Sequence, residues 1–302
     1  MGCERALRPL TPPPSDFSHT QEEIGRLGIP INPNTVVFAL FAQYVLPRGG
    51  EVWLGSLIQA MAALGIGEAA ARSAVLRLKK KGILESQRLG RRTFYWMANA
   101  GMRQLNIGGF RFSLPSEKAW DGKWTIVVYS IPEEQRDLRD ALRSSLKWWG
   151  FGSLAPGTWI STRILLPEIE SDLRELGVWE YVSVFKSEYT GPQDPAAIVT
   201  KAFPELDTLE TGYRDYITKT KAVLQNLDAG LLSDGECFAT RMHNLWEIYA
   251  VAKDDPILPP ALLPENWPRF EAVELSAQVR HVLSEPAERF FDTIYVTSEQ
   301  AD

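Results

Sequence analysis

From Val36 to Leu46 the apolar residues Val36, Val37, Leu40, Phe41, Tyr44 and Val45 recur at the spacing of one helical face. Asn34 or Thr35 can cap this first helix, and Pro47 can stop it. Leu54, Leu57, Ile58, Met61 and Leu64 repeat the pattern up to Gly65, which predicts a second helix. After a Gly65-Ile66-Gly67 turn, a third helix from Glu68 through Lys81 should turn Ala71, Ala74, Val75 and Leu78 inward and close at Gly82. The pattern then becomes strand-like. Ile83 to Leu89 and Arg91 to Met97, the latter rich in Thr93, Phe94, Tyr95 and Trp96, read as strands joined by a tight turn at Gly90. Three helices and a basic hairpin in this order predict a winged helix-turn-helix over residues 34–112, behind a flexible, proline-rich leader over 1–33.

The rhythm changes after a polar stretch, Ser113 to Lys123. Trp124 to Ile131 reads as a buried strand, and Glu133 to Trp149 as an amphipathic helix carrying Leu138, Leu142 and Leu146. Two short strand candidates straddle Pro156-Gly157, a helix follows from Pro167 to Leu176, and a strand from Tyr181 to Phe185. That β-α-β-β-α-β order predicts a ferredoxin-like middle domain over 113–192. From there to residue 302 the pattern is helical, with candidates at Gly212 to Leu227, Ser233 to Lys253 and Ala272 to Val282, interrupted by the proline-rich link Asp255 to Pro268. The expected fold class is α+β: an N-terminal winged helix-turn-helix, a central ferredoxin-like domain and a C-terminal helical domain over 193–302.

A net charge of -6 would argue against a nucleic-acid partner if it were evenly spread. It is not. Val36 to Phe112 holds eleven Lys or Arg against three acidic residues, so the rest of the chain carries the whole negative excess. A basic module joined to an acidic body suits a protein that offers one face to a polyanion. The only cysteines, Cys3 and Cys237, are too few for a disulfide framework or a cysteine-rich zinc site. No run approaches the ~18 to 20 apolar residues of a membrane span, so a cytoplasmic, bacterial-type protein without a membrane partner is expected.

On the third helix the positions not needed for packing are Arg72, Ser73, Leu76, Arg77, Lys79 and Lys80. A guanidinium can take guanine O6 and N7 in a bidentate fork, whereas lysines neutralise phosphate without reading sequence. Arg72, Ser73 and Arg77 are therefore assigned to bases, and Lys79 and Lys80 to the backbone. Arg88, Arg91 and Arg92 sit beside Gly90, where a wing would enter or follow a minor groove. Enzyme signatures are thin: none of the three histidines has a second His or Cys at metal-ligand spacing, and there is no phosphate-binding glycine loop or nucleophile elbow. No catalytic residue, metal or cofactor is expected. Tryptophans gather in the acidic part (Trp148, Trp149, Trp159, Trp179, Trp246, Trp267), where they are either core or the walls of an aromatic effector pocket.

Several segments, taken in order, resemble the PaaX family of phenylacetic acid operon repressors. They are Pro47-Arg48-Gly49-Gly50-Glu51-Val52-Trp53-Leu54, Ala71 to Leu78, Gly90 to Tyr95, Tyr129-Ser130-Ile131-Pro132-Glu133, Gly150-Phe151-Gly152 with Gly157 to Ser161, and Asp255-Pro256-Ile257-Leu258-Pro259 through Trp267-Pro268. The resemblance implies a homodimeric repressor of double-stranded operator DNA, with a middle domain similar to the small CRISPR-associated endoribonuclease fold. It also implies release by a small-molecule effector, phenylacetyl-coenzyme A or another aryl or acyl thioester. The implied DNA contacts are Arg72, Ser73, Arg77, Arg91 and Arg92, and the residues expected to meet the effector are Trp159, Arg241, His243, Trp246 and Lys253.

Two departures stand out. Where the endoribonuclease-like fold places a metal-holding aspartate after its first strand, this chain has Ser130, which supplies no carboxylate. After the aromatic Tyr249, the segment Tyr249-Ala250-Val251-Ala252-Lys253 that leads to Asp255-Pro256 has Lys253 as its one basic residue. The rival readings are a metal-dependent nuclease acting through the middle domain and a winged-helix module that binds protein.

Overall fold

The computed structural model describes residues 32–112, 120–163, 167–191, 194–226 and 232–300. The leader expected before the first helix lies almost wholly outside them. The described chain divides into two compact units, one drawn from 113–212 and 251–267, the other from 19–112, 213–250 and 268–302.

The second of these begins with helix α1, Pro33–Leu40, continued by a π-helical turn Phe41–Val45 and a 3-10 turn Leu46–Arg48. The cap is Asn32, not Asn34 or Thr35: its side-chain oxygen accepts from the Asn34 N–H at 2.9 Å, and Pro33 takes the first helical position, where a missing N–H costs nothing. Nor does Pro47 stop the helix. It fits inside the 3-10 turn, and the chain leaves the helical path at Gly49, which is left-handed with φ 99.

A three-residue strand β1, Glu51–Trp53, leads into α2, Leu54–Ala63, and α3, Glu68–Lys80. Strands β2, Leu84–Leu89, and β3, Arg92–Met97, form an antiparallel hairpin whose two-residue loop needs Gly90 at φ 57. The sheet order is β1-β3-β2, with Val52 opposite Tyr95 and Ser86 opposite Tyr95 on the other side. Helix α4, Asn99–Phe112, follows.

The core of this module is completed by residues of the later helices. Val36, Val37, Leu40, Phe41 and Tyr44 of the first helical run pack in one cluster with Leu57 and Met61, with Ala74, Val75 and Leu78, and with Phe238, Met242, Trp246, Ala287 and Phe291 from much further along the chain.

In the first unit, strand β4, Lys123–Tyr129, is followed by helix α5, Arg136–Trp148, strands β5, Gly152–Ala155, and β6, Thr158–Ser161, helix α6, Pro167–Glu175, and strand β7, Val182–Glu188. All pairings are antiparallel in the order β5-β6-β4-β7, the ferredoxin-like arrangement. Leu142, Leu146, Ile169 and Leu173 on the two helices are fully buried, and Asp172 of α6 accepts hydrogen bonds from the Ser145 hydroxyl and the Trp149 indole of the preceding segment. Trp124 and Ile160, on one face of the sheet, pack with Ile198, Val199, Ala202 and Phe203 at and just beyond helix α7, Pro195–Ala202, and with Leu258 and Leu262.

The remaining helices are α8, Leu206–Asn226, α9, Asp234–Ala252, α10, Arg269–Val282, and α11, Ser284–Ile294. Within the second unit α8, α9 and α10 share a buried polar knot. Asn244 donates to the Tyr216 hydroxyl at 2.9 Å and to Thr220 at 3.4 Å, and accepts from Ser276 at 3.3 Å. Such a knot fixes the rotation of three helices whose apolar faces alone would permit several.

Helix α11 ties the far end of the chain to the first module. The Phe291 ring stacks on Tyr44 at 4.8 Å, and the Arg48 guanidinium lies over the Phe291 ring, 5.2 Å from its centroid. Arg48, only 18% exposed, donates to Glu288 and Asp292. Beyond the helix the Trp53 N–H donates to the Val296 carbonyl at 3.0 Å, and Glu51 accepts from Ser298. The edge of β1 is thereby covered. Because Phe291 sits at the centre of this junction, Phe291→Ala should cost about 3–5 kcal/mol. Hydrogen-exchange protection of the α1 amides, measured as a function of denaturant, should fall by that amount.

Candidate nucleic-acid interface

Helix α3 buries a narrow stripe of small and medium side chains, Ala71, Ala74, Val75 and Leu78, against α1 and α2. Once that stripe is turned inward, the helical period fixes what faces water. Arg72, Ser73, Leu76, Arg77, Lys79 and Lys80 are all exposed. The first turn carries Ala69 and Ala70, which keep the backbone accessible, and Gly67 stands at the N-cap without a capping side chain. Among the described residues Arg77, Lys79 and Lys80 have no ion-pair partner.

Arg72 differs. Its guanidinium is held by Glu68 at 2.7 Å, four residues earlier, and it lies close enough to Tyr95 to be felt by that phenol. An exposed pair of this kind contributes only ~0.2–0.5 kcal/mol, against ~1–3 kcal/mol for a bidentate fork on guanine. A base edge can therefore take Arg72 from Glu68, which meanwhile holds the guanidinium off the helix backbone.

The hairpin arginines are not equivalent. Arg91 occupies the exposed loop tip beside Gly90, and the Arg88 side chain curls back to donate to the Gly90 carbonyl at 3.2 Å. Arg92 is half-buried and lies over the Trp53 ring of β1 at 5.2 Å. Sequence position alone groups the three. Glu68, four residues before Arg72 on the same helix, is a partner that helical spacing announces, whereas Trp53, the partner of Arg92, carries no local signal, since it depends on β1 lying beside β3.

Comparison with known proteins follows the same segments. The family models described as PaaX-like protein, PaaX protein central Cas2-like domain and PaaX-like protein C-terminal domain match residues 32–101, 117–199 and 205–293. The chain belongs to the PaaX family. The Transcriptional repressor PaaX of Escherichia coli (strain K12) is 29% identical over 255 residues, which is 83% of this chain and 80% of that one. Among solved structures, Uncharacterized protein Rv0674 from Mycobacterium tuberculosis matches with a TM-score of 0.58 at 21% identity, covering 87% of this chain and 98% of that one, a likeness of fold.

The residues expected to meet a PaaX effector fall in different places. Trp159, on β6, is buried, and Lys253 is half-exposed beside Asp254; both belong to the unit that contains the four-stranded sheet. Arg241, His243 and Trp246 lie on α9 within the other unit. Arg241 points at the first module: it donates to the Tyr44 hydroxyl at 2.7 Å, pairs with Glu288 at 3.3 Å and covers the Tyr44 ring at 5.0 Å. Burial, opposed by Arg241, pushes the Tyr44 phenol to about 12.

His243 and Trp246 do come together, ring to ring at 5.8 Å and nearly perpendicular. The Nδ1 of His243 faces the Ala239 carbonyl at 3.1 Å, so the neutral ring places its hydrogen there and leaves Nε2 as an acceptor. That Nε2 and the Trp246 indole N–H are both buried without a partner among the described residues. The pair thus offers one acceptor and one donor side by side. Among the described residues no group of three or more His, Cys, Asp or Glu side chains could hold a metal ion, and no helix is long and apolar enough to cross a membrane.

Burial lowers the His243 pKa below its ordinary value. The unfolded chain then binds this proton more readily than the folded one, so stability from the neutral ring is present at neutral pH and is lost as pH falls below ~6.5. Relative to His243→Gln, the parent protein should lose stability as pH falls below ~6.5, the ordinary imidazole value. The difference in urea midpoints of the two proteins against pH reads this directly and cancels the opposite trend from Glu247, whose carboxyl burial pushes up.

Proposed function

We propose that this protein is a DNA-binding transcriptional repressor of a catabolic operon, whose first module works as a winged helix-turn-helix with α3 in the major groove and the β2–β3 loop along the neighbouring minor groove. The observation that carries the reading is α3 itself: a four-residue apolar stripe turned inward and an outward arc of Arg72, Ser73, Arg77, Lys79 and Lys80 left exposed. Family membership and the Escherichia coli repressor add to it. In the wing Arg91 reaches furthest, Arg88 supports the loop, and Arg92 lies nearer the sheet.

The protein acts as a homodimer, since two copies of a short recognition helix reading a two-fold operator give the affinity that one cannot. The effector is a small aromatic or acyl thioester of coenzyme A, such as phenylacetyl-coenzyme A. The buried donor and acceptor of Trp246 and His243 support a polar ligand group on α9, while Arg241 transmits the state of that helix to Tyr44 in the first module. A tenfold release from DNA needs ~1.4 kcal/mol of difference between the liganded states. A metal-dependent nuclease finds no support at the end of β4, where Ser130 gives its N–H to the Tyr181 carbonyl.

Fluorescence anisotropy with operator and random duplexes tests the assignment. Arg77→Ala should cost ~1–3 kcal/mol on operator and little on random DNA, whereas Lys79→Ala should weaken both alike and reduce the salt slope by about one. Equal losses on both duplexes for both variants would overturn the base and phosphate roles. Titrating phenylacetyl-coenzyme A into the complex should raise the dissociation constant at least tenfold; no change up to millimolar thioester would remove that effector class.

A further inference from the structure

The outward arc of α3 has one member that neither phosphate contact nor hydrogen-bonded base reading uses. Leu76 is 58% exposed, the most exposed of the large apolar side chains among the described residues. It lies opposite the buried Leu78 and Ala71, near the middle of the outward arc with Ala69 and Lys80. Arg72 and Ser73 lie one turn before it and Lys79 and Lys80 one turn after, so whatever surface these residues meet, Leu76 meets at its centre. A leucine scattered on a general surface needs no explanation. One set among cations at the crown of a helix that enters a groove would desolvate the polar edge of guanine, cytosine or adenine without replacing its hydrogen bonds.

Only thymine offers an apolar group on the major-groove edge, the 5-methyl. Ala69, also exposed and one turn before Ser73, adds no bulk that would hold the helix away. We propose that Leu76, resting on the reading of α3 as the recognition helix, is a specificity-determining residue that packs on thymine methyl groups, so each operator half-site carries thymine between the positions read by Arg72 and Arg77.

Selection from random duplexes with the full-length chain supplies the half-site, and deoxyuridine placed at each thymine in turn removes only the methyl group. The parent protein should lose about four-fold in affinity at one or two thymines, the worth of one buried methyl. Leu76→Ala should bind the thymine operator several-fold more weakly, lose the distinction between thymine and uracil at those positions, and keep the parental thermal midpoint. Leu76→Met, which retains apolar reach, should restore the distinction.

A parent protein indifferent to every thymine methyl, or a Leu76→Ala variant that keeps the full uracil penalty, overturns the proposal while leaving DNA binding in place. So does a variant whose only change is weaker self-association in sedimentation, which would assign Leu76 to a protein contact. Failure of the parent to bind any selected duplex at low salt brings down the recognition-helix reading itself.

Discussion

Everything proposed for this protein depends on how α3 is seated. Its buried stripe is made of two alanines, a valine and a leucine, so the helix lies close to its neighbours and can be rotated very little without exposing Leu78 or burying a charge. Burying an unpaired guanidinium or ammonium costs several kcal/mol, far more than the apolar gain from Leu76 on the other side. The inward face is therefore unique. The outward face is simply what remains, and what remains is a row of cations around one leucine.

That seating is maintained from a distance. The first module does not complete its own core; Phe238, Met242, Trp246 and Phe291 finish it, and the Arg48 guanidinium between Glu288 and Asp292 orients α11 on top. Ion pairs of this partly exposed kind contribute little to stability by themselves, and the ring stack of Tyr44, Phe238 and Phe291 carries most of the energy. The charges select the register. Helix α9 finishes the core of α1 through the buried Trp246 and carries the half-buried His243 beside it, so the proposed effector site has a physical route to α3: repacking Trp246 or Arg241 must move Tyr44 or its neighbours.

The α1 to α3 run, the hairpin and the β-α-β-β-α-β order were legible in the sequence because each has a strong period and a clear turn residue. What escaped was short or disguised. Strand β1 has three residues and exists because β3 lies beside it. Helix α4 contains Gly101, which reads as a breaker, yet a side chain there would sit 2.4 Å from the Ile83 carbonyl, so the glycine serves close packing. Helix α11 contains Pro286, but in the first turn, where no N–H is needed. In the site, exposure of Arg72, Ser73 and Arg77 could be read by subtracting the buried stripe. The pairing of Glu68 with Arg72 follows from their i,i+4 spacing once the helix is predicted, but the stacking of Arg92 on Trp53 and the docking role of Arg241 could not be read, since each joins residues whose nearness only the folded chain creates.

The most direct test of the central claim is to map where duplex DNA touches the intact chain, by photocrosslinking to a selected operator followed by mass spectrometry of the peptides. Crosslinks confined to α3 and the β2–β3 loop, centred on residues 72–80 and 88–92, are the result this account requires. Crosslinks restricted to the sheet of the ferredoxin-like domain or to the later helices, with α3 untouched, would contradict it.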